Sequence, residues 1–144
     1  MDEAAQVIRR LTEQGKTLAT AESCTGGLLG KLLTDVPGAS AVYLGGVISY
    51  AYAVKEALLG VDKALLQEKG AVCEEVAIQM AQGARQRLGA DEKNPNVGEI
   101  YVACASESGT ICQKLQLSGT REENRLAAAR AALTMLLQVI LILD

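Results

Sequence analysis

Two periodicities alternate along this chain, and their alternation limits the fold more than any single motif does. Ala4, Val7, Ile8 and Leu11 recur at helical spacing and predict an amphipathic opening helix, with Gly15 as its stop. Thr17-Leu18-Ala19-Thr20-Ala21 reads as a short strand, and after Gly26-Gly27 a second helical pattern follows at Leu28, Leu29, Leu32 and Leu33. Thr34-Asp35-Val36-Pro37-Gly38 breaks that helix. Residues 41–50 form a β-rich run through Val42, Tyr43, Val47 and Ile48, with a bulge expected at Gly45-Gly46. Short helices are expected from Lys55 to Leu59 and over 64–68, then a longer one with Val76, Met80, Ala84 and Leu88 on one face and Gly89 at its end. Residues 91–96 are polar. Residues 97–105 and 110–117 alternate on either side of Ser106-Glu107-Ser108-Gly109, the strongest hairpin signal in the chain. A last helix is expected from Arg121 to about Val139. Helices interleaved with strands, plus one hairpin, predict an α/β fold: a three-layer α/β/α domain with a mixed, mostly parallel sheet and one C-terminal hairpin. A length of 144 residues suits a single domain over 1–144.

Neither Phe nor Trp occurs, and Tyr43, Tyr50, Tyr52 and Tyr101 are the only aromatics, so the core is expected to be aliphatic. Fourteen basic and seventeen acidic residues give a net charge of −3 without a basic stripe, which argues against nucleic acid and for a small-molecule ligand. Cys24, Cys73, Cys104 and Cys112 form no Cys-x-x-Cys pair, and Met1-Asp2-Glu3 opens an acidic helix rather than a signal peptide. Reduced thiols and a cytoplasmic location are the expectation. The apolar stretch 131–143 is interrupted by Thr134 and Gln138 and is shorter than the roughly 20 residues that cross a bilayer, so no membrane association is expected. That stretch reads as core or subunit interface.

The chain has no histidine. A Ser-His-Asp triad and most zinc sites are thereby excluded, and any general base must be Lys, Asp, Glu, Tyr or Cys. Thr20-Ala21-Glu22-Ser23-Cys24-Thr25-Gly26-Gly27 lies where a strand turns into a helix, placing Ser23 at the mouth of the sheet beside N–H groups that suit an oxyanion or a phosphate. A serine there is more often a helix cap, and becomes a nucleophile only if a neighbour takes its proton. Ser49-Tyr50-Ala51-Tyr52-Ala53-Val54-Lys55 puts a phenol at a strand end and an amine five residues on. Lys55 is the candidate base and Tyr50 its proton relay, against the commoner fate of a solvated surface lysine. Arg121, following Ser118-Gly119-Thr120 at a helix start, is placed to meet an anion, with Arg125 one turn on. Cys24 shares the helix N-terminus that lowers a thiol pKa, although an isolated cysteine is usually just packed. Gly30-Lys31 fails as a Walker A loop because Thr25 holds the first glycine position and Leu32 follows the lysine, and no G-x-G-x-x-G is present.

Residues Thr20 to Gly27, Gly45-Gly46-Val47-Ile48-Ser49-Tyr50 with Lys55, Lys69-Gly70-Ala71-Val72-Cys73-Glu74 and Ser118-Gly119-Thr120-Arg121 together resemble the CinA C-terminal-domain family, the nicotinamide-nucleotide amidohydrolases and the matching domain of competence/damage-inducible proteins. The resemblance runs along nearly the whole chain. It implies hydrolysis of the nicotinamide mononucleotide carboxamide to nicotinic acid mononucleotide and ammonia, with neither metal nor cofactor, in a homodimer. Carried over by motif, Ser23 is the nucleophile and Lys55 its base, assisted by Tyr50. Thr25, Gly26, Gly27 and Arg121 contact the substrate or its oxyanion.

One departure stands out. Where the family has a further strand and a Ser/Thr-Gly-x-Ala-Gly-Pro loop bordering the site, Ala90-Asp91 runs directly into Glu92-Lys93-Asn94-Pro95. Cys73 also stands where the family commonly has serine. If the deletion is real, a central strand and one wall of the pocket are gone, leaving strand backbone unpaired unless the chain repacks or pairs with a second subunit; if residues are left out of the recorded sequence, the site is intact. The competing readings are a catalytically silent nucleotide-binding domain and an assembly module built on the last helix.

Overall fold

The Asp2 carboxylate accepts the Ala5 N–H at 2.8 Å and caps the first helix, α1, Glu3–Gln14, which ends at Gly15. The strand β1 spans Leu18–Glu22, α2 Leu28–Thr34, a 3₁₀ turn Ala39–Ala41, β2 Tyr43–Ile48, α3 Tyr52–Leu59 and α4 Lys63–Lys69. Then come α5 Glu74–Leu88, β3 Asn94–Val97, β4 Tyr101–Ser106, β5 Gly109–Lys114 and α6 Arg121–Leu143. This computed structural model describes residues 2–89, 94–97, 101–106, 109–115 and 117–143.

The strands form one sheet in the order β2-β1-β3-β4-β5. β1 is parallel to both β2 and β3, while β4 is antiparallel to β3 and to β5, so β4 alone runs against the other four described strands. The sheet is mixed and mostly parallel, with its hairpin at β4–β5, as the periodicities predict. On one face Val7, Ile8 and Leu11 of α1, Leu29 and Leu33 of α2, and Ala128, Ala132, Leu133 and Leu136 of α6 pack around Leu18. On the other, Leu59, Leu66, Val76, Met80 and Ala84 from α3, α4 and α5 pack around Ala21. Each fully buried leucine contributes about 1.5–3 kcal/mol, and the described core is aliphatic throughout. Because helices cover both sides of β1, all five of its residues are buried, and no inside-out alternation is seen.

The runs expected over 97–105 and 110–117 are the strands Tyr101–Ser106 and Gly109–Lys114, with Val97 in β3, and the last helix runs to Leu143 rather than about Val139. Three further differences bear on the site. The register step in β2 pairs Leu18 with Tyr43 and Ala19 with Gly45, so the extra residue is Leu44 rather than the expected Gly45-Gly46 pair. α3 begins at Tyr52, which places Lys55 in its first turn rather than at its start. The third difference corrects the expectation of a missing central strand: Asn94–Val97 occupies that position as β3, parallel to β1 and antiparallel to β4. Backbone groups of a central strand are costly to leave unpaired, and any sequence with free N–H and C=O groups can satisfy them. Pro95, which has no N–H, falls where β3 pairs with β4, one residue before the pairing with β1 begins at Asn96.

Candidate active site

Ser23 leaves the carboxyl end of β1 on a tight turn. The Gly26 N–H donates to the Ser23 carbonyl and the Leu28 N–H to the Thr25 carbonyl, both at 3.1 Å. Gly26 and Gly27 hold φ values of 61° and 104°, the left-handed region that side chains avoid, and a Cβ on Gly27 would meet Ile48 Cδ1 at 2.9 Å. Glycine at both positions is what lets the chain reverse directly after the serine.

Across the turn, Lys55 is only 1 % exposed. Its Nζ lies 3.1 Å from Ser23 Oγ, 2.5 Å from the Ser49 carbonyl and 3.1 Å from the Tyr50 carbonyl. Among the described residues no carboxylate pairs with it. Burial pushes its pKa below the ordinary 10.5, and the Coulombic pull of Cys24 only partly opposes this. A neutral amine in this position keeps two N–H groups on the carbonyls and turns its lone pair to the Ser23 hydroxyl.

Glu22, which the motif reading passed over, is 2 % exposed. Its Oε1 accepts the Thr25 hydroxyl at 2.7 Å and the Leu29 N–H at 2.8 Å, and its Oε2 accepts the Gly30 N–H at 3.0 Å. Its backbone carbonyl accepts the Ser49 N–H at 2.7 Å. The available signal was a lone acid closing an otherwise uncharged, buried strand, Leu18-Ala19-Thr20-Ala21-Glu22.

The candidate ligand contacts divide accordingly. Thr25 is buried with its hydroxyl turned inward to Glu22, and the Gly26 N–H is used within the turn. Among the described residues the N–H groups of Thr25 and Gly27 meet no acceptor. Tyr50 meets Lys55 through its carbonyl, while its side chain is 69 % exposed. Arg121 is an exposed first residue of α6, and Thr120 and Glu123 close that helix end reciprocally, Thr120 Oγ1 accepting the Glu123 N–H and Glu123 Oε1 accepting the Thr120 N–H. The contact reaching the serine turn comes from Arg125, whose Nε donates to the Cys24 carbonyl at 3.0 Å. Among the described residues no group of His, Cys, Asp and Glu is arranged to hold a metal. A cleft of about 520 Å³ bounded by Thr34, Pro37, Ser40, Tyr43 and Leu44 lies at the opposite end of β2 and contains none of these groups.

Fold and site together define a class: a three-layer α/β/α domain with a serine on the turn after a central parallel strand and a desolvated lysine within hydrogen-bond reach of its hydroxyl. The chain belongs to the CinA C-terminal domain family, whose model matches residues 2–93 and 91–140. The two matched stretches meet at 91–93, where the sequence departs from the family pattern. A CinA-like protein of Frankia casuarinae is 42% identical over 142 residues, covering 90% of this chain and 33% of the relative. The chain thus spans about a third of the length of such curated relatives. Among solved structures, the competence/damage inducible protein CihA of Agrobacterium tumefaciens is 32% identical with a TM-score of 0.88, covering 96% of both chains. A CinA superfamily protein of Escherichia coli is 27% identical with a TM-score of 0.91, covering 95% of this chain and 88% of that one. No helix among the described residues is long and apolar enough to cross a membrane.

Proposed function

We propose that this domain is a Ser/Lys amidohydrolase that converts nicotinamide mononucleotide to nicotinic acid mononucleotide and ammonia. The observation that carries the reading is the 3.1 Å contact between Ser23 Oγ and the buried Lys55 Nζ. Burial, with no carboxylate partner among the described residues, lowers the pKa of Lys55 and so eases its deprotonation, and a neutral amine can take the serine proton. Ser23 Oγ then bonds to the carboxamide carbon while its proton passes to Lys55. Collapse of the tetrahedral intermediate breaks the C–N bond, and Lys55 returns the proton to the leaving ammonia. Water, deprotonated by Lys55, attacks the acyl ester and releases the carboxylate and the serine. The N–H groups of Thr25 and Gly27, without an acceptor among the described residues, are the donors this scheme assigns to the oxyanion. Tyr50 orients the amine through its carbonyl and presents its ring to the substrate, and Arg121 takes the nucleotide phosphate. No metal or cofactor enters this scheme, and the working form is a cytoplasmic homodimer.

The test is release of ammonia and nicotinic acid mononucleotide from nicotinamide mononucleotide, with Ser23→Ala and Lys55→Ala beside the wild type. Each substitution is expected to lower kcat by about 10²–10⁴-fold. The two-part family match favours one other reading, a nucleotide-binding domain without turnover. Thermal stabilisation by the nucleotide with no product from the wild type would establish that reading and overturn the hydrolase.

A further inference from the structure

Ser23 and Lys55 come from different parts of the chain, one after β1 and the other in α3 beyond β2. Glu22 touches the support of both. Through its side chain it closes the N-terminus of α2 and fixes Thr25 inside the serine turn. Through its carbonyl it holds the Ser49 N–H, and the Ser49 carbonyl in turn accepts from Lys55 Nζ. We propose that Glu22 is a positioning residue that sets the Ser23–Lys55 geometry, an inference that rests on the hydrolase reading above.

The chemistry of its partners explains why a carboxylate is needed. Every donor aimed at Glu22 is a neutral N–H or O–H, and among the described residues no cation pairs with it. The partial positive charge of the α2 N-terminus supplies the compensation. Glutamine has the same shape but one oxygen. Its NH₂ must then face the N–H of Gly30 or of Leu29, donor against donor at a side chain that is almost fully buried, and the first turn of α2 has to move away. Ser23 sits immediately beside that turn, so its hydroxyl moves relative to Lys55. The N-terminus of α2 is also filled from within, which leaves the Leu29 and Gly30 N–H groups unavailable to a substrate anion.

The test compares wild type, Glu22→Gln and Thr25→Val by turnover and by the ¹³Cε NMR titration of Lys55, which needs no substrate. Cys24 is the titratable neighbour whose charge bears on Lys55, so the titration is repeated with Cys24→Ser. The expected result for folded Glu22→Gln is a loss of about tenfold or more in kcat with KM changed less than about threefold, and a Lys55 midpoint displaced upward as water reaches the amine. Thr25→Val, which removes one of the three contacts, is expected to move both readouts the same way by less. It carries the test if Glu22→Gln does not fold. A folded variant whose Lys55 midpoint is unchanged and whose kcat stays within about twofold of wild type overturns the proposal. Absence of turnover in the wild type sinks the hydrolase reading instead, and the titration still decides whether Glu22 positions Lys55.

Discussion

Gly83→Ala should damage both stability and catalysis although residue 83 is far along the chain from either reactive group. Alanine in place of glycine inside a helix ordinarily stabilises by about 0.5–1 kcal/mol. Here a Cβ would stand 1.9 Å from the Leu59 carbonyl oxygen, 2.7 Å from its carbon and 3.1 Å from its Cα. Real Cβ contacts essentially never fall under 3.0 Å, so α3 and α5 must separate by about 1.1 Å. The obstacle is backbone and cannot rotate aside. Arg87 also ties the two helices, its Nη1 donating to the carbonyls of Ala57 at 3.1 Å and Leu58 at 3.4 Å. Overpacking of this kind costs about 1–3 kcal/mol, which reverses the usual sign. Set against the helix-propensity gain, a net loss of about 1 kcal/mol lowers Tm by roughly 2–4 °C in a domain of this size. Lys55 is one helical turn before Leu59 and moves with it, stretching the 3.1 Å contact to Ser23 beyond hydrogen-bond reach. A misplacement of that size costs up to about 10² in rate. Urea unfolding and turnover measured on the same preparation check both parts. Equal or greater stability in Gly83→Ala would refute the reasoning, because it would mean that α3 is not pressed against α5 at this point.

The pH dependence of stability follows from Lys55. Its folded-state pKa lies below the ordinary 10.5 that it regains on unfolding, so between the two values the unfolded chain binds more protons and stability rises with pH. Urea unfolding from neutral pH to about 10 should therefore show an upward slope that flattens in Lys55→Met. Tyr43→Phe removes a 2.6 Å hydrogen bond to the fully buried Thr20 hydroxyl and should cost about 1–2 kcal/mol, whereas Tyr43→Phe with Thr20→Val should recover most of it because no buried hydroxyl is then left alone. The two arginines should separate kinetically. Arg125→Ala, which removes the guanidinium contact to the Cys24 carbonyl in the serine turn, is expected to act mainly on kcat, and Arg121→Ala mainly on KM for a phosphate-bearing substrate.

Much of this architecture was legible because local patterns and tertiary structure agree. The spacing of Val7, Ile8 and Leu11, the glycines ending α1 and α5, and the alternation of β4 and β5 all mark elements that the fold keeps. The strand at Asn94–Val97 was not legible. Asn-Pro-Asn-Val has poor strand propensity, and only the unpaired backbone of β1 and β4 recruits it, a demand that no local window contains. At the site, the nearness of Ser23 and Lys55 could be anticipated from motifs. Three facts about their setting could not: the Thr25 hydroxyl turned inward and the Tyr50 carbonyl rather than the phenol meeting the amine, which depend on how short turns orient their groups, and Arg125 reaching Cys24, which joins distant segments.

The break at 91–93 bears on the two halves of the site unequally. Ser23 is held by its own turn, by Glu22 and by the start of α6, while Lys55 is held by the Ser49 and Tyr50 carbonyls and by α3 pressed on α5. Every one of these supports lies within residues 22–88 or in α6. None comes from β3. What β3 contributes is location: Glu22 pairs with Val97, so the chain leaves β3 at the same end of the sheet as Ser23. Residues 91–93 precede β3, so the break enters that strand at the end away from the Glu22–Val97 pairing. Among the described contacts, the break therefore reaches Ser23 through the pairing of β3 with Ala21 and Glu22 of β1.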